Sequence, residues 1–456
     1  MKPFKDHIKA YEEEFITDLK RLVACPSVRD ENSIQKGAPF GKPIQKSFVA
    51  FKDIAQRCGL HISEFDGYAV HASNCESEDY IGVLGHLDVV DVQKDLWNTH
   101  PFTLCEKSGV LYGRGVSDDK GPLLASLYAL RILNDLKLLK IPIRIIAGGA
   151  EETTWECMEY YFKHNRQPLW AFSPDGNFPI VNGEKGIAQF ALEFKGSKTK
   201  ELKISCKEKI NYDCYDAEIT LVSKDYIQVK TIAKNAQSIR YLGDRIQIHY
   251  EGKKVLSRNP HKGNNALFQF VEDFKEYPFR EKATIHLINF FKEILLYDVY
   301  GKQLDIYTKD EQMGETTVSV MAVAWNEDEH ILLLDVRYVR GISLNNIKKQ
   351  LMTLGQVYGF GVNIVKHKEL LYVSEDSKLI KCLQSAYKKV MHEDPALLTK
   401  GGASYARVLK RGVVFGATFG EYQTNVHMEN ENIPRADLIR AMEIYCEALY
   451  HLSNEI

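Results

Sequence analysis

No apolar run in this 456-residue chain is long enough to cross a bilayer, which takes about 20 consecutive apolar residues, so no membrane partner is expected. The opening stretch, MKPFKDHIKAYEEEF, is charged and amphipathic and lacks the apolar core of a signal peptide. The nine cysteines are odd in number and form no CxxC pair, which argues against a disulfide framework and favours reduced thiols in a cytoplasm. A formal net charge of -2 gives no global attraction for nucleic acid or an anionic membrane. Internal repeats and low-complexity tracts are also missing.

What remains is an ordinary globular composition, 45% hydrophobic and 26% charged, in a chain too long for one simple core. Apolar periodicity predicts helices over 6–24, 47–58, 123–139 and 156–163, alternating with short apolar strands over 80–84, 141–147 and 170–173. That alternation predicts an α/β domain with a mostly parallel sheet flanked by helices. The style changes near residue 182. Runs rich in β-formers are expected over 187–194, 218–221, 226–231 and 246–250. Helices follow over 265–274 and 282–296, then strands over 317–325 and 331–338. A helix ending at Met391, a strand over 413–418 and a closing helix over 434–452 return to the first style. The expected organisation is a catalytic domain in two parts, 1–185 and 371–456, interrupted by an α+β insertion over 186–370.

The chemistry gathers at predicted strand ends, where a parallel sheet presents its ligands. Gly85-His86-Leu87-Asp88 closes one apolar run. His86 suits a metal ligand, with Asp88 behind it to fix the ring tautomer; a solvated strand-end turn is the alternative. Asp118, in Val116-Ser117-Asp118-Asp119-Lys120-Gly121-Pro122, precedes a helix. It fits a plain N-cap, and equally a carboxylate bridging two cations. Glu151-Glu152 is an adjacent acid pair, which resists double ionisation unless a cation or proton intervenes; one acid would bind metal while the other moves protons. A charged surface loop is the plainer reading of that pair. Asp175, between Pro174 and Gly176, is a turn aspartate or a further donor, and His427 would supply a second imidazole. Together these residues would hold two divalent cations, Zn²⁺ above all, with Mn²⁺ or Co²⁺ as alternatives.

The ordered segments GHLDVV, GRGVSDDKGP, AEETTW, SPDGNFP, GGASYAR and VHMENENIP resemble the M20 family of di-metal peptidases, within it the PepV-like dipeptidase group. The resemblance implies that His86, Asp118 and Asp175 hold one metal, and that Asp118, Glu152 and His427 hold the other. It implies Glu151 as general base and Asp88 as the residue orienting His86. Gly401, Gly402 and Ser404 match a substrate loop, Arg337 matches a lid arginine that grips the substrate carboxylate, and Asn211 matches a lid asparagine. It also implies a small peptide substrate, a lid that closes over it, and a monomer, with a homodimer as the alternative. One departure stands out. Where the family carries a lid histidine that polarises the scissile carbonyl, this chain has Leu256, and His261, five positions on, is the candidate substitute. Losing one such donor typically lowers the rate about a hundred- to a thousandfold. The expected activity is hydrolysis of dipeptides; an N-acyl amino acid deacylase, or a metal-binding protein with impaired catalysis, would use the same metal residues.

Overall fold

The computed structural model describes residues 3–196, 198–207 and 210–455. The chain divides into two compact units: residues 1–183, 371–399 and 403–456 form the first, and residues 184–370 with 400–402 form the second. The short segment 400–402 therefore groups with the second unit, although it falls inside the last stretch expected to be catalytic. No helix among the described residues is long and apolar enough to cross a membrane.

The first unit is built on a mixed sheet whose centre is parallel. Strands Ile143–Gly148, Ile81–His86, Trp170–Ser173 and Gly412–Val414 lie side by side in that order and run the same way. The margins are antiparallel: Ala69–Ser73 pairs with Ile143–Gly148, His61–Phe65 pairs with Ala69–Ser73, and Ile180–Glu184 pairs with Gly412–Val414. The central strands are buried on both faces, which is why they read as unbroken apolar runs rather than alternating ones. The Lys120–Asp135 helix packs on Ile81–His86 and Ile143–Gly148, and against the Phe4–Val23 and Arg435–Asn454 helices. Its residues from Lys120 to Leu130 are all buried, so this helix is apolar almost all round.

The second unit is an eight-stranded sheet with helices against it. The order is Ser238–Tyr241, Arg245–Glu251, Asp216–Val222, Leu202–Cys206, Thr317–Trp325, His330–Tyr338, Gly186–Phe194 and Phe360–Lys368, with every neighbouring pair antiparallel. Leu202–Cys206 and Arg245–Glu251 alternate buried and open positions, the period of a sheet with one covered face. Helices Ala266–Phe274, Lys282–Phe290 and Leu344–Tyr358 contribute to a core that also holds Phe194, Trp325 and Phe360. Two local readings differ from expectation. Residues 226–231, rich in β-formers, lie in the helix Tyr226–Ile232, because the Asp225 side chain accepts from Gln228 N at 2.9 Å and caps it. The expected strand over 413–418 pairs as a strand only over Gly412–Val414.

His71, on the buried Ala69–Ser73 strand, has Nδ1 2.9 Å from the Tyr161 hydroxyl. Burial, reinforced by the positive charge of Arg144, pushes its imidazole from 6.5 down to about 3. The folded state therefore favours the neutral ring. Its contribution is complete above the unfolded value and is lost as pH falls from about 6.5 towards 3. His71→Gln should accordingly destabilise most near neutrality, and the gap between variant and parent in urea melts should narrow on acidification to about pH 4.5. A gap independent of pH would contradict this assignment.

Candidate active site

The parallel centre of the first unit brings the candidate ligands to one sheet edge. His86 is the last residue of its strand and stands opposite Gly148, so Glu151 and Glu152 follow three and four residues beyond that partner. The neighbouring strand ends at Ser173, and Asp175 lies two residues past it. Asp118 reaches the same edge from the segment leading into the Lys120–Asp135 helix. His427 comes from the 425–430 loop, where Asn425, His427 and Asn430 all adopt left-handed φ angles between 54° and 62°. Non-glycine residues occupy that region at a conformational cost and concentrate at functional sites.

The donors converge on Asp118. His86 Nε2 lies 2.8 Å from Asp118 Oδ1 and 3.9 Å from Asp175 Oδ2. His427 Nε2 lies 3.0 Å from Asp118 Oδ2 and 3.0 Å from Glu152 Oε2. Each carboxylate oxygen of Asp118 thus faces a different imidazole, and each imidazole has a second acid beside it. Ligand atoms of His86, Asp118 and Glu152 all fall within 4.8 Å of one another. The structure therefore brings together His86, Asp118, Glu152, Asp175 and His427.

Asp88 serves the site through both backbone and side chain. Its carbonyl oxygen lies 3.0 Å from His86 Nδ1, and its Oδ1 lies 3.5 Å from the same nitrogen. A proton on Nδ1 leaves Nε2 as the free lone pair. The two Asp88 carboxylate oxygens accept the backbone N–H groups of Glu151 at 3.1 Å and Glu152 at 3.0 Å. One aspartate thus orients an imidazole and fixes the adjacent acid pair.

Three further residues complete the scaffold: Glu431 and Tyr405, which sequence reasoning passed over, and Asp119, for which it expects a cap or charge-tuning role and whose side chain makes no cap hydrogen bond. Glu431, 1% exposed, accepts from Arg114 Nη1, the backbone N–H groups of Gly115, Ser117 and Asp118, and the Ser117 hydroxyl, all between 2.8 and 3.1 Å. It is delivered there by the Asn432–Pro434 strand, which pairs with Val110–Tyr112. Asp119 Oδ2 accepts from His86 N at 3.1 Å, an approach that only a glycine at 85 permits: a Cβ there would sit 2.1 Å from that oxygen. Tyr405 packs edge-on against His86 with ring centroids 6.0 Å apart. The signal for Glu431 was its place four residues after His427, but acids in polar loops are usually solvated.

Electrostatically the site is a cluster of buried and half-buried acids beside an exposed histidine, His427. Burial pushes the Glu151 carboxyl well above the usual range, with the charges of Asp175, Asp118 and Glu152 adding to the rise. Burial likewise raises Glu152. Burial opposes ionisation of Asp118 too, but its hydrogen bonds to His427 and His86 prevail and hold its carboxyl low. Hydrogen bonds to Asp118 and Glu152 carry the His427 imidazole up to about 10. Such a set of nitrogen and oxygen donors, with excess negative charge, fits a hard or borderline divalent cation.

Three of the substrate candidates in the second unit are linked in one network. Arg337 gives Nε and Nη2 to Asp335, both at 2.8 Å, and Nη1 to the Gly401 carbonyl at 2.9 Å. Asp335 further accepts Ser257 Oγ at 2.7 Å, and Ser257 N donates to the Asn211 carbonyl at 2.9 Å. Asn211, Arg337 and Gly401 are therefore linked. Leu256 bridges to Tyr212 and is 37% exposed. His261 sits on the Pro260–Lys262 turn with its ring nearly parallel to Tyr300, centroids 6.3 Å apart. Ser404, in the first unit, precedes the short helix Tyr405–Val408.

A family model for peptidase family M20/M25/M40 matches residues 82–451. The chain belongs to that family. It is a metallopeptidase. A Bacillus subtilis protein named "Putative dipeptidase YtjP" is 31% identical over 460 residues, covering 97% of this chain and 98% of the relative. Among solved structures, human carnosine dipeptidase 1 aligns with TM-score 0.57 at 18% identity over 98% of each chain. The YXEP protein of Bacillus subtilis, described as a dinuclear metal binding peptidase from M20 family, aligns with TM-score 0.52 at 12% identity over 98% of this chain and all of its own. Both likenesses share the M20 fold.

The Glu431 anchor gives the M20 site a direct test. Glu431→Gln keeps the shape but turns a donor towards backbone N–H groups. It should weaken metal binding by roughly ten- to a hundredfold, as loss of an outer support does. Chelator-competition titration with Zn²⁺ reads this, and unchanged affinity would show that the Asp118 segment needs no such anchor.

Proposed function

We propose that the protein hydrolyses the peptide bond of dipeptides or similarly short peptides at a centre of two divalent cations. The observation that carries this reading is the Asp118 carboxylate, whose two oxygens face His86 and His427 separately. His86, Asp118 and Asp175 would hold one cation, and Asp118, Glu152 and His427 the other. Zinc suits the mix of imidazole and carboxylate, and manganese or cobalt would be accepted by the same donors. When bound, the cations supply Lewis acidity towards the carbonyl and acidify water.

Glu151 handles the proton. Its backbone is held by Asp88, and burial raises its carboxyl, which makes its carboxylate form a stronger base. It takes a proton from the attacking water at its carboxylate oxygen and returns it to the nitrogen of the departing amine. Water and one peptide bond thus become one carboxylate and one amine. Arg337, Asn211, Gly401, Gly402 and Ser404 are the proposed substrate contacts, and His261 is the proposed replacement for the histidine that Leu256 displaces.

Stripping the protein with a chelator should abolish dipeptide turnover, and refilling with Zn²⁺, Mn²⁺ or Co²⁺ should restore it. Glu151→Gln should lower turnover about a hundredfold or more while metal content stays that of the parent. A fully active Glu151→Gln protein would remove the base assignment. Turnover that survives complete metal removal would remove the reading itself.

His261 has its own outcome. His261→Ala should lower kcat about tenfold or more if the ring polarises the carbonyl. A rate within twofold of the parent would take His261 out of the reaction.

A further inference from the structure

The segment Ala150-Glu151-Glu152-Thr153-Thr154-Trp155 ends on a residue that none of the foregoing uses. Trp155 sits in the left-handed region at φ 64°, where a residue with a side chain carries a conformational cost. It is also the N-cap of the helix Glu156–His164, yet its side chain makes no cap hydrogen bond. Serine, threonine, aspartate or asparagine is the usual choice there. A tryptophan held in this conformation therefore answers to something other than the start of the helix.

The indole meets the acid pair. Its Nε1–H donates to the Glu151 carbonyl at 2.7 Å. That carbonyl lies in the same peptide plane as the Glu152 N–H, which donates to Asp88 Oδ2 at 3.0 Å. Both polar groups of the plane between the two acids thus end on side chains, one at each edge. Opposed hydrogen bonds resist rotation of the plane, and so fix the backbone torsions that aim both acids. Trp155 N closes the loop behind them by donating to the Ala150 carbonyl at 2.8 Å. The indole is braced in turn. It packs edge-on against Tyr405, ring centroids 5.7 Å apart at 76°, and the Tyr405 hydroxyl meets the thiol of Cys157, two residues beyond Trp155. Tyr405 is fully buried, and glycine at 148 makes room for it: a Cβ there would lie 2.6 Å from its hydroxyl oxygen. All of these residues belong to the first unit.

We propose that Trp155 is a positioning residue for the hydrolysis: its indole N–H, opposite Asp88, locks the peptide plane between Glu151 and Glu152 and so aims the Glu151 carboxylate. A glutamate reaches its reacting oxygens through several single bonds, so a small tilt of its backbone is magnified at the carboxylate. Misplacing a reacting group by about 1 Å can lower a rate about a hundredfold. The same Tyr405 ring that braces the indole also lies edge-on to His86, which ties the base loop to a ligand of the metal centre. This inference rests on the reading of Glu151 as the general base.

The test replaces Trp155 by benzothienylalanine, the same bicyclic ring with sulfur in place of N–H, and in a second protein makes Trp155→Phe, which keeps a ring against Tyr405. In the metal-free proteins, amide hydrogen exchange at Glu151 and Glu152 should quicken roughly tenfold over the parent. With Zn²⁺ loaded to the parent's content, kcat for L-Ala-L-Ala should fall roughly ten- to a hundredfold. KM should stay within about twofold of the parent, because the substrate contacts are untouched. In a Glu151→Gln background the same replacements should add no more than about a twofold loss, since the base they position is gone. A merely structural role would cost as much in both backgrounds, and that result would overturn the proposal. Unchanged exchange, or full kcat, in the benzothienylalanine protein would overturn it as well. A Glu151→Gln protein as active as the parent would instead remove the base reading, and the proposal with it.

Discussion

One carboxylate shared between two imidazoles organises the first unit. Asp118 is 8% exposed, so its charge is stabilised by partners rather than by water. Its oxygens face His86 and His427, and its backbone N–H is held by Glu431. Glu431 in turn depends on the register of the Asn432–Pro434 strand against Val110–Tyr112. His86 depends on the parallel pairing of Ile81–His86 with Ile143–Gly148, and on a glycine that lets Asp119 reach its backbone. Moving any of these by one residue would separate the donors.

The arrangement is expensive without a counter-charge. Asp119, Glu151, Glu152 and Glu431 all have their ionised forms disfavoured by burial. Proteins keep such clusters where function demands them and compensate elsewhere. Here the compensation is apolar packing. The Lys120–Asp135 helix and the central strands are buried almost throughout, and that core lets the acids be held in one place. The second unit solves a similar problem differently, pairing buried Asp335 with Arg337.

Much of this was legible in the sequence because period and position carry it. The strand Trp170–Ser173 lies where its apolar run predicts, and the helix Lys378–Met391 ends at the expected residue. The α/β class followed from strand and helix alternation, and His86, Glu151, Glu152 and Asp175 were placed by standing at or just beyond strand ends. Residues 226–231 misled because β-branched composition was weighed above the Asp225 cap. The helix Leu344–Tyr358 went unread although Ser343 and Asn346 form a reciprocal capping box. Glu431 was invisible for another reason. It acts through long-range partners, and a lone acid in a loop has no local pattern to mark it.

Two ligand sets would meet at Asp118. Anomalous diffraction from crystals grown with excess Zn²⁺ should show two peaks per chain flanking the Asp118 carboxylate, one reached by His86 and Asp175 and the other by His427 and Glu152. A single peak, or cations bound away from Asp118, would contradict this arrangement.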